Sequence, residues 1–286
     1  MQPDAGLDAP RPPPQTPLHV HKNELTLCGL AAVQARWQRD PAAIKRLFFD
    51  EATGRRIGTI CRALAASRRV YRCVPAAELE KVAGSMHHGG IVAIVDAPEL
   101  QAPPARELAA WAAQKQPLLV LDRVGNAHNL GALARTAAFF GVRHLIIPDA
   151  PTAARPNDAA YRVAEGGLEA ITVWRVPALP AFLSALRTAG YDVVGAAARG
   201  GRPEVHGAAT APIALVLGNE EHGLAPEVAK ACSRLVTLPG TQAVESLNVS
   251  VAGAVLMWEL WARRQTPPPR PATRPGSSPK PRATHA

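Results

Sequence analysis

Residues 213–228 read IALVLGNEEHGLAPEV. Five apolar residues run unbroken into Gly218, two adjacent acids follow at Glu220 and Glu221, and Gly223 and Pro226 then punctuate the chain. A short continuous apolar run bounded by turn residues is the pattern of a strand buried on both faces, as in a parallel sheet. Ligands of such sheets bind in the loops beyond the strand C-termini, which is where these acids fall. For Glu221 taken alone, a helix-start charge favoured by the macrodipole is the simpler explanation.

The same grammar extends outward in both directions. PLLVLDRV reads as a strand, NLGALARTAAFFG as a helix and HLIIP as a strand; ALPAFLSALRTAG is a helix followed by the strand YDVVGAAA. Beyond the quoted stretch, APEVAKAC is a helix, RLVTLP a strand and SLNVSVAGAVLMWELWARR a long closing helix. This alternation over residues 117–263 predicts an α/β domain with a mainly parallel sheet covered by helices. Residues 23–98 form a second, smaller α/β unit: LTLCGLAAVQARWQ, IKRLFFD, GTICRALAAS, RVYRCVP and AAELEKVAGS alternate, and IVAIVDA closes it as a buried strand. Between the two, residues 99–116 surround the helix-like ARELAAWAAQ, with Pro98, Pro103, Pro104 and Pro117 nearby, and read as a linker. Residues 1–22 are Pro-rich, and residues 264–286 are Pro-rich and basic without a single acid. Both are expected to be disordered.

The net charge of +9 is uneven. Residues 1–98 hold 13 Lys/Arg against 9 Asp/Glu, residues 99–262 hold 13 against 14, and residues 263–286 hold 6 against none. A nearly neutral second domain flanked by basic segments suits a polyanionic partner. Residues 54–77 carry Arg55, Arg56, Arg62, Arg68, Arg69 and Arg72 with no acid, either a phosphate-tracking surface or a solvated helix face. No apolar run is long enough for a membrane span, and the N-terminus lacks the apolar core of a secretory signal. The four cysteines (Cys28, Cys61, Cys73 and Cys232) are scattered, which argues against a disulfide framework or a metal site and fits a reducing cytoplasm. His87 and His88 sit in a Gly-rich turn and are read as turn residues.

Three strand-end segments could carry chemistry. In VLDRVGNAHNLGALARTA (120–137), Asn129 is placed to cap a helix starting near Leu130, and Gly131 permits close approach of a ligand or backbone. Arg135 is the only formal charge between Arg123 and Arg143; a lone guanidinium among Ala, Leu and Phe implies a specific partner, whether a ligand or a buried ion pair. The second segment is the quoted one. In the third, RLVTLPGTQAVESLNVSVAG (234–253), a polar loop leads to Ser246, placed to cap the last helix, with Asn248 and Ser250 in its first turn. A dinucleotide-binding reading fails, because no GxGxxG follows a first strand; YDVVGAAARGG lacks the spacing.

Together, NLGALARTA, LVLGNEEHGL and LPGTQAVESLNVSVA resemble the three motifs of the SpoU (TrmH-type) RNA ribose 2′-O-methyltransferases, in order and spacing. The resemblance covers about residues 24–262, and residues 24–96 are similar to that family's L30e-like substrate-binding domain. HHGG (87–90) and AEGG (164–167) also look like an uncharacterised tRNA/rRNA methyltransferase branch. The resemblance implies a trefoil-knotted C-terminal domain, S-adenosyl-L-methionine (AdoMet) as methyl donor and an RNA substrate, rRNA ahead of tRNA; on the Cys and His pattern no metal is expected. It also implies a homodimer through the C-terminal domain, for which the helix carrying Val251, Val255, Leu256, Met257, Trp258 and Trp261 is suited. By position it assigns Arg135, Asn129, Glu220, Ser246 and Asn248 to catalysis and Leu217, Gly218, Leu238, Pro239 and Leu247 to the cofactor. Arg55, Arg56, Arg68 and Arg69 become candidates for RNA binding. A guanidinium donates hydrogen bonds and resists deprotonation, so Arg135 reads as a phosphate clamp and stabiliser of the developing alkoxide, with Glu220 placed to hold it or the loops; the general-base role stays open. A non-catalytic RNA-binding protein of the same fold is the rival reading.

Overall fold

The structure, a computed structural model, describes residues 23–203, 211–241 and 243–261. The two segments expected to be disordered lie outside these residues. The described residues build two sheets in sequence. The first uses β1 (Glu24–Cys28), β2 (Ile44–Phe49), β3 (Val70–Cys73) and β4 (Ile91–Asp96) in the order β1-β4-β2-β3. Strand β4 runs antiparallel to both β1 and β2, while β2 and β3 are parallel. The continuous apolar run IVAIV thus sits centrally and is buried at every position. Helices α1 (Leu30–Arg39), α2 (Glu51–Gly54), α3 (Gly58–Ala66) and α4 (Ala76–Ala83) connect these strands.

The second sheet, among the described residues, contains β5 (Leu118–Leu121), β6 (His144–Pro148), β7 (Thr172–Val176), β8 (Asp192–Ala196), β9 (Ile213–Leu217) and β10 (Arg234–Val236). Its order is β10-β8-β9-β5-β6-β7, and every pairing is parallel, as the alternation requires. Its helices are α6 (Ala127–Phe139), α7 (Asp158–Ala164), α8 (Gly167–Ala170), α9 (Leu179–Thr188), α10 (Pro226–Ala231) and α11 (Val249–Leu260). The central strands β5 and β9 are wholly buried, and their apolar side chains feed a core on each face. Gly131 on α6 meets the Ala160 carbonyl of α7 so closely that a Cβ could not fit, so the close approach is made by backbone.

The segment read as a linker carries α5 (Ala105–Ala113), whose Leu108 and Trp111 are buried in the core of the second sheet. Trp111 stacks on His144 with ring centroids 4.1 Å apart. Trp174 Nε1 donates to His144 Nδ1 at 3.1 Å, which puts the ring proton on Nε2, 2.8 Å from Gln116 Oε1. Burial, helped by the neighbouring Arg143 charge, lowers the imidazole pKa from 6.5 to about 4. An unfolded chain therefore binds the proton near pH 6.5, whereas the native state resists it until about pH 4. Stability is expected to fall as pH drops through that window. Thermal melts of His144→Gln should show a flatter pH profile between the two values, and an unaltered slope would remove His144 as the cause.

The two units dock through a charged, buried contact. Arg36 on α1 donates from Nε to Glu169 Oε1 of α8 at 3.0 Å and approaches the same oxygen from Nη2 at 2.9 Å, with side-chain exposures of only 9% and 1%. Arg39 Nη1 reaches the main-chain carbonyls of Glu169 (2.8 Å) and Ile171 (2.9 Å). The Thr26 amide donates to Asp158 Oδ1 at 3.0 Å. Desolvation pushes the Glu169 carboxyl up despite the pull of Arg36, and its Oε2 has no partner among the described residues.

Candidate active site

Strands β5 and β9 pair in register, Leu121 opposite Leu217, so their C-terminal loops emerge side by side. Buried Asp122 ties them together: its amide donates to the Leu217 carbonyl (2.7 Å), and its Oδ2 accepts from the Ala225 amide (2.7 Å) at the start of α10. Arg123, at φ 56°, bends back so that Nε reaches Asp122 Oδ1 at 3.0 Å, an interaction that raises the guanidinium pKa. Asn219 Nδ2 donates to the Arg123 carbonyl, and its Oδ1 accepts the amides of Glu221 and His222. Residues 219–223 are therefore a closed turn rather than a helix start. Glu221 belongs to that turn, and the acid in the first helical turn is Glu227, which corrects the macrodipole reading of Glu221.

The three segments singled out in the sequence meet in one hydrogen-bonded chain. Asn129 Nδ2 donates to Glu220 Oε1 at 2.7 Å, and Asn129 Oδ1 accepts from Asn248 Nδ2 at 3.2 Å. The capping expectations are corrected by one turn or less. Asn126 caps α6 by accepting from the His128 amide, which leaves Asn129 inside the first turn and free to face the loops. Asn248, not Ser246, caps α11, accepting from the Ser250 amide (2.9 Å) and Ser250 Oγ (2.6 Å). Ser246 lies exposed in the loop just before.

Arg135 stands elsewhere on α6. Six residues from Asn129 carry it about 9 Å along the axis and about 240° around it. Its Nη2 pairs with Glu165 Oε2 at 3.0 Å, both side chains more than half exposed (55% and 58%). Glu220 therefore holds Asn129 and not Arg135, and the lone guanidinium is in neither a buried ion pair nor the loop cluster of its own chain.

The expected cofactor positions surround the loops unevenly. Leu217 is buried at the end of β9. A Cβ on Gly218 would run into the main chain of Gly223 and Leu224, so only glycine fits. Gly218→Ala is expected to cost about 1–3 kcal/mol of stability and to pry open the 219–223 turn; an unchanged melting temperature would contradict this. Leu238 is half-buried against the core, whereas Pro239 and Leu247 are exposed, Leu247 at 48%. The start of the loop after β10 is tied to residues 201–202: the Thr237 amide donates to the Arg202 carbonyl (3.0 Å), and Thr237 Oγ1 accepts from the Gly201 amide (2.9 Å).

Of the RNA-binding candidates, Arg69 donates from Nη1 to the Pro41 (2.6 Å) and Ile44 (3.0 Å) carbonyls, which ties its partly exposed side chain to the first sheet. Arg55 pairs with Glu51 at 2.6 Å in an exposed i, i+4 bridge that a phosphate can replace. Arg56, Arg62 and Arg68 are exposed. His88 Nδ1 accepts the Gly90 amide at 3.1 Å, a turn contact. No group of His, Cys, Asp and Glu suited to a metal ion occurs among the described residues, and none of the described helices is long and apolar enough to cross a membrane.

Comparison with known proteins follows the same division. Residues 116–258 match the SpoU rRNA Methylase family, and residues 26–101 match the RNA 2′-O ribose methyltransferase substrate-binding family. The chain is 35% identical over 243 residues to the uncharacterized tRNA/rRNA methyltransferase YfiF of Escherichia coli (85% of this chain, 69% of that protein). It is 34% identical over 245 residues to the 23S rRNA (guanosine-2′-O-)-methyltransferase RlmB of Ralstonia nicotianae (85% and 97%). In fold it is similar to the AdoMet-bound rRNA methyltransferase from Sinorhizobium meliloti, with a TM-score of 0.70 at 22% identity over 85% of this chain and 89% of that one. Motifs, domain matches and full-length relatives agree: the chain belongs to the SpoU rRNA methylase family.

Proposed function

We propose that this protein transfers the methyl group of AdoMet to a ribose 2′-hydroxyl of ribosomal RNA. The observation that carries the reading is the Glu220–Asn129–Asn248 chain, which draws three distant segments to one rim of a parallel sheet. The RlmB relatives, named for 2′-O-methylation of 23S rRNA, favour rRNA over tRNA. Residues 23–98 serve as the RNA-binding unit, with Arg55, Arg56 and Arg68 offered to phosphates, and residues 117–263 as the methyltransferase.

The loops fit AdoMet. In the same loop segment Leu247 and Val244 leave apolar side chains uncovered (48% and 69% exposed), Leu238 is half-buried, and Gly240 has open space where a Cβ would stand. Leu217, Gly218, Leu238, Pro239 and Leu247 would hold the cofactor, whose sulfonium supplies an already activated methyl group. The protein's task is to orient the 2′-oxygen and ease loss of its proton. Asn129 and Asn248, locked by Glu220, order the loops, with Ser246 beside them. Arg135 clamps phosphate and stabilises the developing alkoxide.

Arg135 faces away from its own loop cluster, so we assign it to the active site of a second subunit. An uncovered apolar stripe supports that homodimer: Val251, Val255 and Trp258 on α11 adjoin Phe139 and Phe140 at the end of α6, with Phe139 83% exposed. We also propose that the chain after β10, tied to residues 201–202 before returning to α6, forms the trefoil knot. Unpaired cysteines among the described residues fit a cytoplasmic protein.

The test is transfer of labelled methyl from AdoMet to 23S rRNA or tRNA, followed by alkaline hydrolysis. A 2′-O-methyl group blocks cleavage of the adjoining phosphodiester, so label should appear in alkali-resistant dinucleotides from rRNA. Label confined to tRNA would overturn the substrate, and label in alkali-sensitive mononucleotides would overturn the chemistry.

A further inference from the structure

We propose that Glu165 is a positioning residue for Arg135, set in place by the docking of the first domain. The inference rests on the function proposed above and on three observations around the AEGG turn at 164–167. Glu165 adopts φ 43°, a left-handed conformation uncommon for a side-chain-bearing residue. Its neighbours favour glycine for different reasons, Gly166 through its φ of 93° and Gly167 through packing. A Cβ on Gly167 would stand 2.7 Å from the Arg135 Cα, and one on Gly166 would stand 3.4 Å from both the Ala31 carbonyl and the Ala35 Cβ of α1. The turn is thus wedged between the helix that bears Arg135 and a helix of the RNA-binding unit. Just beyond it, Leu168, Glu169 and Ile171 receive Arg36 and Arg39. Strain held by surrounding packing and ending in a functional contact is the pattern of a pre-organised group.

The contact it ends in is the 3.0 Å pair with Arg135. Both partners are half exposed, so the pair contributes little to stability. Its effect is directional: it selects one reach for a long side chain that has many rotamers. A phosphate of bound RNA can share the guanidinium, because the Arg fork offers five donors. First-domain docking, the 164–167 turn and the Arg135 side chain are therefore linked mechanically, so the unit that selects RNA also aims the residue that clamps it.

Glu165→Gly separates positioning from folding, because glycine tolerates this φ better than glutamate does. The expected result is a melting temperature and AdoMet affinity at least equal to wild type, with kcat on rRNA lowered about tenfold and KM for RNA changed less. Glu165→Gln, which keeps a hydrogen-bond acceptor, should recover part of kcat. Wild-type kcat in Glu165→Gly, alongside an inactive Arg135→Ala control, overturns this inference and leaves the proposed function standing. An active Arg135→Ala protein overturns this inference and the role given to Arg135 while leaving methyl transfer standing; a wild-type protein that transfers no methyl overturns both.

Discussion

Arg135→Ala is expected to lower methyl transfer by about 10²–10³-fold, the usual effect of removing one preorganised donor at a developing oxyanion, while AdoMet still binds. The two effects separate because Arg135 lies about 240° around α6 from Asn129 and pairs with Glu165, away from the loops at Gly218, Leu238 and Asn248. Truncating it leaves the Glu220–Asn129–Asn248 chain and the Asp122 tie intact. Calorimetry with AdoMet and single-turnover transfer to rRNA check the two halves independently. Loss of cofactor binding would mean that Arg135 supports the loops, and retained transfer would remove it from the chemistry. If Arg135 serves a neighbouring subunit's site, mixing Arg135→Ala with Asn129→Ala protein should restore activity by forming heterodimers with one complete site. No recovery on mixing would confine each site to its own chain.

The second large effect is expected at the junction of the two units. Glu169→Leu leaves Arg36 charged and buried with no counter-charge, a defect that costs about 3–5 kcal/mol in comparable sites. The protein should then undock its first domain, and the backbone between residues 97 and 104 should become a proteolytic target. Arg36→Leu combined with Glu169→Leu should recover most of the loss, since an apolar pair of similar volume removes the desolvation penalty on both ions. Equal damage in the single and double variants would show that the ion pair contributes shape rather than charge compensation. Because Gly166 and Glu169 share the same short segment, the single variant should also lower kcat, whereas the double variant should restore stability and kcat together.

The sequence carried the sheet well where burial is complete. LLVL and IALVL are apolar at every position because both faces of β5 and β9 are covered, and the three motifs lie at strand ends that the parallel register brings together. Strand β7 escaped because TVWRV lies at the sheet edge, half exposed, and mixes Thr and Arg into its pattern. The helices within residues 149–171 were unread for a related reason: α7 and α8 are too short to show a period. The caps were misplaced within the right segments. In NAHN either asparagine can start a helix; the bend at Arg123 and the demand of Glu220 for a donor decide it, and neither is local. The docking pair Arg36–Glu169 was invisible, because 133 residues separate its members and nothing in α1 distinguishes a buried arginine from a solvated one. AEGG carries a family resemblance, but nothing local to it marks its carboxylate as the partner of Arg135, thirty residues earlier on another helix.

The strand order also sets a schedule for the nascent chain. Strands β5, β6 and β7 emerge first and can pair at once, but the inner edge of β5 waits for β9, almost a hundred residues later. Until Ile213–Leu217 leaves the ribosome, a fully apolar strand presents unpaired amides and carbonyls to its surroundings. Long-range pairing of this kind folds slowly and is open to aggregation. Chains stalled before residue 213 should therefore depend on chaperones far more than chains released after residue 236.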